Sequence, residues 1–73
     1  MKKIDLHGLT VEEALRTIES LISELRIENR RDYYEIVTGR GKIQKALKEL
    51  LRDLNVDFDE QIHNDGAVFV TIE

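Results

Sequence analysis

Two short stretches of the chain carry side chains whose types and spacing suit anion binding and proton transfer. The first stretch, residues 36–42, runs from an apolar segment through Gly39 and Gly41 to the basic start of an amphipathic segment. We call its residues 38–42 the glycine loop. Glycine can adopt positive φ and lets a ligand approach the backbone, and the first N–H groups of a helix have no intrahelical partner. We therefore predict an anion site, suited to a phosphate, at the positive end of a helix. Its predicted ligands are Thr38, Gly39, Arg40, Gly41 and Lys42. The alternative is a turn that uses glycine only for its geometry.

The glycine loop matches neither of two common nucleotide motifs. A P-loop has four residues between its glycines and a Ser or Thr after its lysine, whereas here one residue separates Gly39 from Gly41 and Ile43 follows the lysine. The dinucleotide-binding pattern requires a third glycine at the position of Gln44. The loop is therefore neither a P-loop nor a dinucleotide fingerprint.

The second stretch contains Asp5 and His7, two residues apart in a predicted strand. Both side chains would then point to one side, and the carboxylate could orient the imidazole. Because imidazole titrates near neutral pH, we predict acid–base chemistry here, with Arg40 stabilising developing negative charge. The predicted catalytic residues are Asp5, His7 and Arg40. The alternative is that Asp5 pairs with Lys3 while His7 caps a helix or meets solvent.

A metal site is less favoured by the sequence. Asp5, His7, His63 and Asp65 could approach one another, but their spacing does not resemble that of a dedicated metal cage. We therefore assign no metal ligands.

Length and composition favour one small cytoplasmic domain over residues 1–73. The chain has no Cys and no apolar run of the roughly 20 residues needed to span a bilayer. Its net charge of −4 is unevenly distributed: residues 26–52 hold eight Lys or Arg against four Asp or Glu, whereas residues 53–73 hold six acids and no base. The positive segment surrounds the glycine loop, as phosphate binding requires. Its three later cations are expected to solvate a helix face: Lys45, Lys48 and Arg52.

Hydrophobic periodicity predicts the element order βαβαββ. The predicted strands cover residues 2–6, 33–38, 56–63 and 67–72, and the predicted helices cover residues 11–28 and 43–54. Thr10 and Glu13 form a capping box that begins the first helix, and Asn55 ends the second. The acidic third strand suits a sheet edge, and Asn64-Asp65-Gly66 predicts a hairpin into an interior fourth strand.

This order predicts an α/β two-layer fold with both helices on one face of a mixed sheet of order 1-2-4-3. The first three strands then end at one edge, which gathers both chemical stretches and the turn at residues 63–66. The open face would carry Tyr33, Val37, Phe69 and Thr71 beside Asp5, Asp57 and Asp59. Because these acids repel phosphate, we expect that face to dock a protein, either a second copy or a neighbouring domain.

The chain resembles the Smr (small MutS-related) domain family in three places. Residues 5–9, Asp-Leu-His-Gly-Leu, are similar to the opening "LDLHG" signature of that family. Residues 38–41, Thr-Gly-Arg-Gly, are similar to its TGxG or HGxG motif, and residues 66–72 resemble its final strand. Together these stretches span nearly the whole chain. The turn at residues 63–66 departs from the family because it lacks the glycine-rich sequence often found there.

The resemblance implies a fold like the C-terminal domain of translation initiation factor three. It also implies nucleic-acid binding and, in many members, nicking of DNA or cleavage of RNA. Such domains occur alone or at the C-terminus of MutS-like ATPases linked to recombination suppression and ribosome rescue. The chain could be a whole protein or an excised C-terminal domain, and its ending directly after the last strand favours the excised domain. The functional residues that the family implies are Asp5, His7, Thr38, Gly39, Arg40 and Gly41.

Two functional hypotheses follow. In the first, the chain is a nicking endonuclease that acts on DNA or RNA, with the loop holding the phosphate and His7 transferring a proton. A 2′-hydroxyl attack on RNA needs no metal, whereas cleavage of DNA requires activated water and would use a divalent metal ion. In the second, the chain is a non-catalytic nucleic-acid-binding or ribosome-binding module that positions a larger ATPase or nuclease.

Overall fold

The computed structural model describes residues 2–39, 41–59 and 66–72. Its elements are β1 (Lys2–Asp5), α1 (Val11–Ile27), β2 (Asp32–Val37), α2 (Lys42–Asp53), β3 (Asp57–Asp59) and β4 (Ala67–Ile72). The sheet has the order β1-β2-β4-β3, in which β1 and β2 are parallel and β4 is antiparallel to both of its neighbours. The predicted fold class and strand order are therefore confirmed. His63 and the predicted hairpin residues Asn64 and Asp65 lie outside the described residues.

One face of the sheet packs against both helices. Along β2 and β4 the buried residues alternate with less buried ones, which is the pattern of a sheet covered on one side only. The helices contribute the other half of the core from one apolar stripe each, and they also pack against each other. The fully buried core residues with the largest side chains are Leu6, Ile18, Leu25, Ile36, Leu47, Leu51, Val68 and Ile72.

The two helices end alike but begin differently. Each ends in a Schellman motif with an asparagine in the left-handed region, Asn29 after α1 and Asn55 after α2. The predicted capping box begins α1: Thr10 Oγ1 accepts a hydrogen bond from the Glu13 N–H, and the Glu13 carboxylate accepts one from the Thr10 N–H. By contrast, Gly41 begins α2 without a side-chain cap, and no acidic residue lies in its first turn.

The opposite face of the sheet has no helix on it. The strand registers place Lys3, Glu35, Phe69 and Asp59 in one row across the sheet. A second row contains Tyr33, Thr71 and Asp57, and a third contains Asp5, Val37 and Ala67. The predicted open face is thus confirmed, although the sequence analysis did not include Lys3, Glu35 and Ala67. Four acids against one lysine make this face negative.

Neither helix in the described part of the chain is long and apolar enough to cross a membrane.

Candidate functional site

The two chemical stretches meet where β1 and β2 end side by side. Pairing continues one step beyond the strands, since the Leu6 N–H donates to the Val37 carbonyl oxygen over 2.7 Å. The next residues, His7 and Gly39, are also neighbours: a β-carbon added at Gly39 would lie 3.8 Å from Cδ2 of the imidazole. The parallel pairing of two strands therefore places the histidine ring near Gly39, at the carboxyl edge of the sheet where ligands bind in open α/β sheets.

Asp5 acts on the backbone of His7. Its Oδ1 accepts a hydrogen bond from the His7 N–H over 2.8 Å, which is an Asx-type turn. The Leu9 N–H then donates to the Leu6 carbonyl oxygen, and Gly8 has φ +90°, as position three of a type II turn requires. The prediction that both side chains extend from one strand is wrong, because β1 ends at Asp5 and His7 lies in the turn. The carboxylate thus fixes the position of His7 through its main chain.

Thr38 forms hydrogen bonds that hold the glycine loop in shape. It is 4% exposed, and its Oγ1 donates to the Gly39 carbonyl oxygen over 2.8 Å. The N–H groups of Thr38 and Gly39 both donate to the carbonyl oxygen of Gly66, over 2.8 and 3.1 Å, just before β4 begins. Three hydrogen-bond donors of the predicted phosphate loop are therefore engaged within the chain, two with Gly66 and one with the neighbouring Gly39. These hydrogen bonds of Thr38 and Gly39 hold the loop in shape, and a phosphate-binding role for either residue stays a prediction.

Further donors of the predicted anion site lie at the start of α2, in the first N–H groups of the helix and in Lys42. Gly41 has φ +106° and ψ −133°, a conformation available essentially only to glycine, and it begins the helix abruptly. Lys42, the first residue of α2, is exposed, and within the described residues no carboxylate lies within ion-pair distance of it. Arg40 lies outside the described residues. The positive end of α2 is thus neither capped by a side chain nor balanced by an acid in its first turn.

Two hydrogen-bonded pairs that stabilise the fold contain side chains with shifted pKa values. At the far end of the sheet from the site, Lys2 Nζ lies 2.8 Å from Asp32 Oδ2 and joins β1 to β2. The hydrogen bond from Lys2 lowers the pKa of the Asp32 carboxyl, and the same bond raises the pKa of the Lys2 amine. In the capping box, the hydrogen bond from the Thr10 backbone lowers the pKa of Glu13.

Of the four residues that the sequence offers for a metal site, Asp5, His7, His63 and Asp65, the last two lie outside the described residues. Over residues 2–39, 41–59 and 66–72, the structure brings together no group of three His, Asp or Glu side chains able to hold a metal ion.

Sequence reasoning missed two features of the site. The Asx turn has a local signal, because an aspartate side chain commonly forms a hydrogen bond with the backbone two residues later. The Gly66 carbonyl has no such signal. Its role depends on how β4 inserts beside β2, which is a contact between residues distant in sequence.

The fold and this strand-end site define a two-layer α/β domain with a mixed four-stranded sheet and an anion-type loop at the carboxyl edge. A family model for the Smr domain matches residues 4–73, and the chain belongs to the Smr domain family. Smr domains are nucleic-acid-binding, nuclease-like modules.

Solved structures agree with this membership. The chain is similar to the Smr domain of Thermus thermophilus MutS2, with 29% identity, a TM-score of 0.73, and coverage of 99% of this chain and 96% of that one. It is also similar to the human small-MutS related domain, with 26% identity, a TM-score of 0.74, and coverage of 96% and 99%.

A longer relative is an Smr domain-containing protein of Schizosaccharomyces pombe, which is 26% identical over 76 aligned residues. The match covers 93% of this chain but 36% of that protein, so the chain spans about a third of its curated relative.

Proposed function

We propose that this chain is a nucleic-acid-binding domain that nicks phosphodiester bonds at the edge formed by the ends of β1 and β2. The observation that carries the proposal is the nearness of His7 to the glycine loop: Cδ2 of the imidazole lies 3.8 Å from where a β-carbon would stand on Gly39, three residues before the uncapped start of α2. A group that can transfer a proton and a group of anion donors are thus adjacent. General acid–base catalysis of phosphodiester cleavage requires that arrangement.

The phosphate is held by the start of α2. Arg40 and Lys42 supply positive charge, and Gly41 allows the phosphate to approach the first N–H groups of the helix. Thr38 and Gly39 act indirectly, since their own hydrogen bonds to Gly39 and Gly66 hold the loop in shape. The same donors would stabilise the negative charge that develops on the phosphoryl oxygens during cleavage.

His7 transfers the proton. On RNA, the 2′-hydroxyl attacks phosphorus, the bond from phosphorus to the 5′-oxygen breaks, and the imidazole either accepts the hydroxyl proton or protonates the leaving oxygen. On DNA, water is the nucleophile and a divalent ion would assist its deprotonation. Asp5 is a positioning residue in both cases, because it holds the His7 main chain.

The test is cleavage of end-labelled RNA and supercoiled plasmid DNA by the purified domain, in Mg²⁺, in Mn²⁺ and in EDTA. We expect RNA fragments or nicked circles from the wild type and their loss with His7→Ala, an exposed position whose replacement should not affect folding. Undiminished cleavage of DNA in EDTA would rule out the metal-assisted route. Binding without any cleavage, across all substrates and ions, would support the second function.

That second function is a non-catalytic module that binds nucleic acid or the ribosome and positions a larger ATPase or nuclease. It is supported by the open face of the sheet, where Tyr33 is 58% exposed among acidic side chains and no helix covers the strands. A neighbouring domain or a second copy would dock there. Since one structural relative is the Smr domain of MutS2, a parent ATPase fits this role.

A further inference from the structure

The outer face of α2 forms a shallow basic groove that begins at the candidate site. Its first lining residue is Gly41, the residue that begins the helix at the glycine loop, and the groove continues along the solvent side of α2. The lining residues are Gly41, Gln44, Lys45, Lys48, Glu49 and Arg52. The buried residues of α2, Leu47 and Leu51, lie on its other side.

The cations in the groove extend over a length comparable to that of several phosphates of one strand. Lys45, Lys48 and Arg52 follow i, i+3, i+7 spacing, which puts them on one face of the helix. Lys45 and Arg52 are separated by about 10 Å along the helix axis. A stacked strand rises about 3.4 Å per nucleotide, so this distance corresponds to about three phosphates. Stacking on the Phe58 ring, at 5.3 Å from its centroid, supports the Arg52 guanidinium at the far end.

The basic face of α2 carries a charge repulsion that the acids of the helix relieve only in part. Like charges three or four residues apart weaken a helix, and the cations of α2 form three such pairs, Lys42 with Lys45, Lys45 with Lys48 and Lys48 with Arg52. Glu49 lies four residues after Lys45 and three before Arg52, so it offsets part of this repulsion. On α1, by comparison, Arg16 forms an ion pair with Glu12 at 2.6 Å. In the part of the chain that the structure describes, no carboxylate lies within ion-pair distance of Lys45 or Lys48.

We propose that this groove binds the sugar-phosphate backbone of one nucleic-acid strand on one side of the phosphate held at the glycine loop. This inference rests on the proposed function and adds a path and a length to the substrate. The contacts are to phosphate, so they carry no base preference. The open face of the sheet is not an alternative path, because it presents four acids and one lysine.

The test uses the fluorescence anisotropy of labelled oligo(dT) and oligo(U) strands of increasing length, over a range of salt concentrations. The test variant is Lys45→Gln with Lys48→Gln. The matched control is Lys3→Gln with Arg16→Gln, which removes the same charge from the open sheet face and from α1. Thermal unfolding of both variants verifies folding. The wild type should gain affinity with length until the groove, about 16 Å long, is filled by about five nucleotides.

The groove variant should lose this gain with length, and the slope of log affinity against log salt should fall by about 1.4, or about 0.7 for each lost contact to a single strand. The control should behave like the wild type. If the wild type binds and the groove variant keeps the length and salt dependence of the control, this inference is overturned while the proposed function stands. If the wild type binds no strand of any length, both are overturned.

Discussion

Thr38 is a motif residue whose hydroxyl and N–H both form hydrogen bonds within the chain. Its buried hydroxyl and its N–H each hold one side of the glycine loop, the first through the Gly39 carbonyl and the second through the Gly66 carbonyl. The loop therefore has its shape before a phosphate arrives. Preorganised donors of this kind are effective in binding because little order remains to be imposed.

Replacing the Thr38 hydroxyl should loosen the loop. Thr38→Val keeps the side-chain volume but leaves the Gly39 carbonyl without its donor, so we expect a loss of about 1 kcal/mol in unfolding free energy and weaker nucleic-acid binding. Thr38→Ser should restore both properties. Urea denaturation and anisotropy titration measure them. Because no charge is removed, the salt dependence of binding should stay unchanged, and a flattened slope would mean that Thr38 contacts phosphate directly.

The sequence predicted which residues of the site lie close together, but it did not predict which hydrogen bonds they form. The nearness of His7 to the glycine loop follows from strand order alone, since two parallel strands end together. The partner of the Asp5 carboxylate was predicted wrongly, because the first strand ends one residue earlier than its apolar pattern indicates and His7 enters a turn.

The two helices differ in how their N-terminal ends are capped. The start of α1 has a complete capping box, whereas the start of α2 has a glycine and no acid in its first turn. Both helices have the same kind of C-terminal motif, so the contrast is confined to the ends at which a helix attracts anions. The helix whose start lies at the candidate site is the one left uncapped.

The capping box of α1 should give the domain a pH dependence that a single substitution removes. Hydrogen bonds from Thr10 lower the pKa of Glu13 below its ordinary value of 4.5. The stability from the ionised carboxylate is therefore fully present above pH 4.5 and is lost as the pH falls through the lowered value. Glu13→Gln retains an oxygen acceptor for the Thr10 N–H but cannot titrate.

The difference in unfolding free energy between wild type and Glu13→Gln should accordingly shrink as urea denaturation is repeated from neutral to acidic pH. Thr10→Ala should instead cost about 1 kcal/mol at neutral pH, because it removes the cap of the Glu13 N–H. A difference between wild type and Glu13→Gln that does not change with pH would contradict this account of the cap.

Element order, helix ends and strand order were predictable from the sequence because each has a local cause. Thr10 with Glu13, Asn55 after the leucine-rich run, and the acidic third strand are signals within a few residues of the features they specify. The sequence predicted only that the turn before β4 and the glycine loop lie at the same edge of the sheet. The bonds to Gly66 depend on tertiary packing, which no local pattern encodes.

The two layers of the domain differ in the charge of their outer faces and enclose a small hydrophobic core. The helix layer presents the basic groove and the open sheet face presents acids, so a nucleic acid would be steered toward α2 and away from the sheet. A domain of 73 residues has little hydrophobic core to spare, and the side chains between the layers carry most of its stability.

Leu47, which is 0% exposed at the centre of the α2 face that contacts the sheet, should be among the most sensitive positions. Leu47→Ala removes buried surface and leaves a cavity, and we expect it to lower the unfolding free energy by about 2–5 kcal/mol. Glu49→Ala, on the exposed side of the same helix, should change it by less than about 0.5 kcal/mol and is the control. Equal effects of the two substitutions in urea denaturation would show that the buried face of α2 is assigned incorrectly.

The measurement that tests the central claim most directly compares two variants in both binding and cleavage. Arg40→Ala with Lys42→Ala removes the proposed phosphate ligands, so affinity should fall for all sequences alike and the salt slope should flatten by roughly one unit per lost contact. His7→Ala removes the proposed proton-transfer group, so affinity should stay nearly intact while single-turnover cleavage slows by roughly 10²- to 10⁴-fold. If both variants fold, bind and cut like the wild type, the site at the ends of β1 and β2 is wrong. If both lose affinity in parallel and no protein cuts, His7 is a binding or structural residue, and the domain is a binding module.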